Sequence, residues 1–410
     1  MNNLSSYLLI VLLSISSLHA KTDKYRLTLR SNPSSSIVVC WNQISGNSAT
    51  VYYGTKDYGT DFSKYKFNHT ADRKIVHHEM NNHFARLENL KADTAYYFIL
   101  KDNEGTSSRF WFKTAPAKNE KLSFIAGGDS RNNQVPRQNA NILVSKLKPH
   151  AVLFGGDMTS GDTARQWKVW MDDWQLTISE DGRMYPVIAT RGNHERSNNS
   201  IYNLFDTPSK EVYYAITFGK NLLRTYTLNS EISIEGTQTE WLKKDLVAHP
   251  NTIWKSAQYH KPMRPHVSRK KEGNKQYSNW ASLFYEYEVR LVVECDAHTV
   301  KTTWPIKPSL AEGSEEGFIR EDKKGTVYVG EGCWGAPLRP NDDNKTWTRA
   351  SGKFNQVKWI FVSPKKIECR TILVENSKSL KEVSNKNTFK APENLKIWTP
   401  ENGAVVEIIK

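Results

Sequence analysis

From Tyr25 to about Thr114 the chain alternates short apolar segments, SIVVCW, ATVYYG, TAYYFIL and RFWFKT, with breaks rich in Gly, Asn, Asp and Ser. β-Branched and aromatic runs of this length between turn-formers predict strands, and strands in close succession without helical stretches predict a β-sandwich. In LKADTAYYFIL, Tyr96, Phe98 and Leu100 share one face of the strand. APAKNE, polar and Pro-containing, reads as a linker. After Lys121 the rhythm changes: LSFIAGGD, AVLFGGD and YPVIATRGNH alternate with helical patterns such as RQNANILVSKLK and QTEWLKKDL. That alternation predicts a layered α/β domain. Trp167, Trp170, Met171 and Trp174 recur at helical spacing, the mark of a stripe facing a core. Further strands are expected at IWKSAQYH, VRLVVECDAH, GTVYVGEG, VKWIFVS and KIECRTIL, and the polar stretch beyond them ends in a strand-like VVEII.

A chain of 410 residues, 38% hydrophobic, has material for two cored domains. Leu8 to Leu13 is apolar and uncharged, and a small-residue stretch follows it up to Ala20, before Lys21. This is the layout of a secretory signal peptide and is too short for a membrane span. The expected division is residues 1–20 for export, 21–116 for the sandwich, 120–376 for the α/β domain and 377–410 for a C-terminal extension. A secreted or periplasmic protein follows, with no membrane span. Cys40, Cys295, Cys333 and Cys369 are too scattered for a disulfide framework, and buried thiols are the simpler expectation. The net charge of +14 attracts anions. The basic residues are spread out, and the one local run, Arg269 to Lys271, reads as a solvated loop. Small phosphorylated substrates therefore suit the charge, with no specific nucleic-acid partner predicted. Composition leaves the oligomeric state open.

The chemistry concentrates where apolar strands end. Asp129 follows LSFIAGG, Asp157 follows AVLFGG, Asn193 and His194 follow YPVIATRG, His260 follows IWKSAQY, and Asp296 and His298 follow VRLVVEC. Ends of successive strands in an α/β sheet converge on one crevice, so residues remote in sequence meet there. Carboxylates, a carboxamide and imidazoles together suit one or two ions of the Zn, Mn or Fe kind. Two such ions sharing a carboxylate can hold a deprotonated water and neutralise a phosphoryl group during in-line displacement.

In order, GGDSR, GGDMTS, GNHE, QYHKP and CDAHTV resemble the characteristic blocks of the calcineurin-like metallophosphoesterases, in their purple acid phosphatase branch. That branch carries an N-terminal fibronectin type III-like domain, and the Leu90 to Tyr96 spacing is similar to the tyrosine-corner segment of such domains. The resemblance runs from about Tyr25 to about Leu373. It implies an α/β fold, a layered β-sandwich flanked by helices behind a small all-β sandwich, and a phosphatase with two metal ions. By position it makes Asp129 and His298 ligands of a first metal and Asp157 the bridging carboxylate. Asn193, His260 and Asp296 become ligands of a second metal, and His194 binds the phosphoryl group or protonates the leaving group.

Three positions depart from the family. Ser160 stands where the purple enzymes have a Tyr, so the phenolate-to-iron colour is not expected. Arg131 replaces a His that other members use on the first metal, and the open place falls to Ser160, Asp162 or water. Arg131 reads as a phosphate clamp, with a structural salt bridge as the other reading. Asp296 replaces a His, either as an oxygen ligand or as a group that orients a neighbouring His. His266, just past His260, is a second-rank candidate, whereas His150 and the sandwich histidines are discounted. The expected activity is hydrolysis of phosphate monoesters. The alternatives are a phosphodiesterase on the same fold, and a degenerate binding or adhesion protein, which the three departures favour and the retained ligand set opposes.

Overall fold

The computed structural model describes residues 19–410; the apolar run Leu8 to Leu13, on which the export reading rests, lies outside the described residues. Among the described residues no helix is long and apolar enough to cross a membrane.

The α/β region is built on two facing sheets. In the first, Leu122–Gly127, Ala151–Phe154 and Pro186–Ala189 run parallel at the centre. In the second, Leu223–Thr227, Trp254–Gln258, Val289–Glu294 and Val327–Gly330 do the same. Nearly every residue of these strands is buried, because both faces of each sheet are covered, as parallel sheets require. Phe124, Ala126, Leu153 and Ile188 of one sheet meet Ile216, Leu223, Leu291 and Val329 of the other between the layers. On the outer face of the first sheet, Ile125, Val152, Phe154 and Val187 pack against the helices Gln134–Leu147 and Ala164–Trp174. The stripe Trp167, Trp170, Met171 and Trp174 is buried there, as its helical spacing predicts. The helix Thr237–Ala248 covers the second sheet through Leu242 and Leu246.

The N-terminal region is an all-β sandwich whose core holds Val39, Trp41, Val51, Phe98, Leu100 and Phe112. Tyr96 is buried, and its hydroxyl accepts the backbone N–H of Lys91 at 2.8 Å. One of its sheets does not end at the linker. Thr22–Thr28 pairs in parallel with Pro186–Ala189, with Leu27 opposite Pro186 and Thr28 opposite Val187. A single sheet of 10 strands therefore runs from Val405–Ile409 at one edge, through the central parallel strands, to Arg73–His77 at the other. The strand-like VVEII at the C-terminus supplies the first of these edges.

Ion pairs hold the same junction. Asp206, fully buried at the end of the helix Asn198–Phe205, takes Arg30, Arg73 and Arg86 from the sandwich at 2.9 to 3.2 Å. Buried Arg26 donates to the carbonyl of Leu204. The four cysteines are buried and unpaired.

Candidate metal centre

Four of the residues at strand ends adopt left-handed backbone: Asp129 (φ 57°), Asp157 (φ 54°), Asp296 (φ 65°) and His298 (φ 59°). Each such turn costs of order 1 kcal/mol or more for a residue with a Cβ and persists only where surrounding structure imposes it. Here it bends the chain sharply past each strand, so that side chains from both sheets face one point.

The eight residues expected from the sequence do gather. His298 Nε2 lies 2.9 Å from Asp129 Oδ1, and the ligand atoms of Asp129, Asp157 and His298 all fall within 4.8 Å of one another. His260 Nε2 faces three oxygens: Asn193 Oδ1 at 3.1 Å, Asp157 Oδ1 at 3.3 Å and Asp296 Oδ1 at 3.7 Å. His194 Nε2 is 3.8 Å from Asp157 Oδ2, with its ring about a third exposed to the cleft. Arg131 Nε donates to Asp157 Oδ2 at 3.2 Å, and its Nη2 is 3.4 Å from His298 Nε2. Asp129, Asp157, His260 and His298 are nearly or wholly buried, while Asn193 and His194 border solvent.

Whether this set fits metal ions is decided by its protons. His298 Nδ1 faces the carbonyl of Pro337 at 2.9 Å, His260 Nδ1 that of Gly155 at 2.8 Å and His194 Nδ1 that of Ser160 at 2.6 Å. A carbonyl only accepts, so each Nδ1 carries a hydrogen and each ring turns its Nε2 toward the centre, as a lone pair whenever the ring is neutral. For His260 and His298 each Nε2 faces carboxylate or carboxamide oxygens, a contact satisfied either by a proton on Nε2 or by a metal ion in its place. Burial alone disfavours a charged His260, yet the carboxylates of Asp157 and Asp129 outweigh it and raise its pKa well above the ordinary value. Asp129 Oδ1 is buried with no hydrogen-bond donor. An ion with bonds of about 2.0 to 2.2 Å sets neighbouring donor atoms roughly 3 to 3.5 Å apart, the spacing found around His260 and His298. The residues fit metal ions.

Backbone contacts keep the carboxylates in place. Asp129 Oδ2 accepts the N–H of Asp296 at 2.8 Å, and Asp157 Oδ1 accepts that of His194 at 2.9 Å. Gly192 is needed here because a Cβ would fall 2.3 Å from Asp157 Oδ1. Glu195, unassigned from the sequence, is fully buried and takes the N–H groups of Asp157, Met158 and Gly192 at 2.7 to 2.9 Å, tying two ligand loops together. Burial and the Asp157 charge push its carboxyl up to about 7 against those three donors. A Glu inside a polar loop that follows a buried strand was the available signal.

Three expectations need correction. Asp162 does not face the centre: its carboxylate binds Trp167, Ser200, the N–H of Arg196 and His78, because its own left-handed turn aims it at the sandwich. His78, discounted as a sandwich residue, therefore reaches the α/β domain. His266 is fully buried, away from the cleft, bonded through Nε2 to Thr348 Oγ1 at 2.7 Å and by its N–H to Glu331. The basic run is not wholly solvated: Arg269 and Lys271 are exposed, but Lys270 turns inward and binds both oxygens of Asp296, at 2.7 and 2.6 Å. Arg339, also unforeseen, donates to the carbonyl of Asp296 at 2.7 Å.

Beside the centre, a cavity of about 230 Å³ is lined by Arg131, Asn132, Ser160, Arg165 and Gln166, with no carboxylate among its lining residues. Buried carboxylates and imidazoles next to an open, cationic recess form a place where an anion can be held against a metal.

Residues 22–114 match the family described as the purple acid phosphatase N-terminal domain, and residues 133–301 match the calcineurin-like phosphoesterases. No curated protein sequence matches the chain. Among solved structures, a purple acid phosphatase, PPD1, from yellow lupin (Lupinus luteus) seeds superposes with a TM-score of 0.75 at 14% identity, over 95% of this chain and 74% of that one. PhoD superposes with a TM-score of 0.66 at 11% identity, over 96% of this chain and 93% of that one. At such identities these two likenesses speak for the fold. The chain thus carries a purple acid phosphatase-type N-terminal domain followed by a calcineurin-like phosphoesterase domain, in tandem on that fold, the make-up of a purple acid phosphatase-like metallophosphoesterase.

Proposed function

We propose that the chain is a secreted phosphatase that hydrolyses phosphate monoesters at a dinuclear centre. The observation that carries this reading is the pinning of the His260 and His298 rings by backbone carbonyls, which aims each Nε2 at the oxygens of Asp157 and Asp129, where a metal ion can take the place of a proton. Asp129 and His298 would hold a first ion, Asn193, His260 and Asp296 a second, and Asp157 would serve both. Bound ions of the Fe, Mn or Zn kind would supply Lewis acidity and lower the pKa of water. The chain's own residues bind and orient. Arg131 grips phosphoryl oxygens with a planar fork, and His194 stands at the solvent side, where as an imidazolium it can donate its Nε2 proton to the departing oxygen. The cations Arg131, Lys270 and Arg339 around the carboxylates favour a terminal dianionic phosphate over a singly charged diester. Secretion rests on the run Leu8 to Leu13, and residues 21–116 and 120–376 are taken as the fibronectin-like and catalytic units, with 377–410 as an extension.

The test is metal analysis of the purified protein together with hydrolysis of p-nitrophenyl phosphate and bis(p-nitrophenyl) phosphate across pH. The monoester should be preferred, and Asp157→Ala should lose both turnover and metal. Unchanged turnover in that variant removes the two-ion reading, and a diester preference moves the assignment to a phosphodiesterase. Arg131 on Asp157 favours one other reading, a non-catalytic binding protein, which complete lack of metal uptake would establish.

A further inference from the structure

Two side chains of this protein already stand as cations against the atoms of the metal centre, and they do so unequally. Arg131 makes long contacts, 3.2 Å to Asp157 Oδ2 and 3.4 Å to His298 Nε2, and shares its guanidinium with Asn132. Lys270 takes both oxygens of the mostly buried Asp296 at 2.6 and 2.7 Å, across the face that the carboxylate would turn to a bidentate ligand.

The placement of Lys270 is built into the fold. The loop after His260 is anchored at Met263 by Glu294 Oε1 (2.9 Å), at His266 by Glu331 Oε2 (3.0 Å) and at Ser268 by Asp342 Oδ1 (2.9 Å). The turn then closes from Lys270 N to the carbonyl of Val267 at 2.8 Å. Glu294 and Glu331 are fully buried and are themselves joined by Lys301. A loop fixed by two buried carboxylates brings one lysine of a three-residue basic run back to the site and leaves its neighbours in solvent.

We propose that Lys270 is an internal competitor for the second metal ion: a tethered ammonium that neutralises Asp296, so that this ion binds only by displacing it. The inference rests on the two-ion reading and adds an asymmetry between the sites. Asp129, Asp157 and His298 take up their ion against the weaker Arg131 contacts, whereas the ion at Asn193, His260 and Asp296 meets a like charge within reach of its own ligand. Like charges separated by a few ångströms in a partly buried site repel strongly, and a ligand whose charge is already neutralised attracts a cation less.

The experiment is titration of the full chain, stripped by chelation, with Mn²⁺, reading bound ions per chain by equilibrium dialysis and elemental analysis. The wild type should bind one ion at least about tenfold more tightly than the next. Lys270→Met keeps the apolar stem and removes the charge, and it should tighten the weaker ion by about tenfold or more. Lys270→Ala should do the same, and Lys270→Arg should leave it weak. Melting curves identify the variants that remain folded, and either neutral variant suffices. Two equally tight ions in the wild type, or a weaker ion unmoved in the folded neutral variants, overturns the proposal. Failure of the phosphatase reading is seen separately, as absence of metal-dependent p-nitrophenyl phosphate hydrolysis by the wild type, whatever Lys270 does to the ions.

Discussion

Gly332 lies against the carboxylate of Asp129: a Cβ built on it would fall 2.3 Å from Asp129 Oδ2, and its φ of +91° is one that side chains rarely adopt. Gly332→Ala must therefore push a proposed metal ligand aside as well as strain its own backbone. Metal affinity should fall by about tenfold or more, and stability by roughly 1–3 kcal/mol. Equilibrium dialysis with Mn²⁺ and denaturant melts would read the two effects. A variant with wild-type metal affinity would show that Asp129 is not held by this contact.

His194 separates catalysis from metal binding. Its Nδ1 is fixed by the carbonyl of Ser160, and its Nε2 is not within bonding distance of any carboxylate. His194→Ala should keep metal content and fold while turnover drops by about 10²- to 10⁴-fold. The loss should be largest for alkyl phosphates and partly rescued for activated aryl phosphates, whose leaving groups need no proton. Equal losses on both substrates would make His194 a phosphate-binding residue, and loss of metal would make it a ligand or a support.

Colour tests the position three residues past Asp157. Ser160 presents its main-chain oxygen to His194 and has no phenol to offer. Protein loaded with ferric iron should therefore lack a strong phenolate-to-iron band in the visible spectrum. Its appearance would mean that a tyrosine from elsewhere completes the first site.

Lys358 gives a pH dependence away from the centre. It is fully buried on the strand Gln356–Val362, bonded to Thr371 Oγ1 at 2.8 Å, and burial pushes its ammonium from 10.5 down to about 8. Below about pH 8 the fold buries a charge that the unfolded chain solvates, which costs stability. Between about pH 8 and 10.5 the unfolded chain holds a proton that the folded chain has released, so stability from this group rises with pH. Lys358→Met should then be more stable than wild type at pH 7, by on the order of 1–3 kcal/mol. The advantage should vanish by about pH 10.5. A difference between the two proteins that does not change from pH 7 to 10.5 would reject the account.

Much of this was legible in the sequence because the signals are local. A carboxylate or imidazole straight after an apolar run marks a strand end, and Asp129, Asp157, Asn193, His194, His260, Asp296 and His298 all announce themselves that way. The residues that were missed act at long range. Lys270 looks like its exposed neighbours Arg269 and Lys271, and only the anchoring of its loop by Glu294 and Glu331 turns it inward. Asp162 sits five residues past Asp157, yet a left-handed turn sends it to His78 instead of the metals. Arg339 reaches Asp296 across 43 positions of sequence, a pairing with no local trace.

The parallel pairing of Thr22–Thr28 with Pro186–Ala189 bears on how such a chain can be cut or recombined. The strand that leads into Asn193 and His194 has the N-terminal region as its hydrogen-bonded neighbour. A fragment beginning at the linker would leave Pro186–Ala189 as a bare edge, open to pairing with other chains, and would strip Asp206 of its three arginines. The two regions thus depend on each other for a closed sheet: the front sandwich is not a detachable accessory, and any replacement for it must present a strand in the same register beside Pro186.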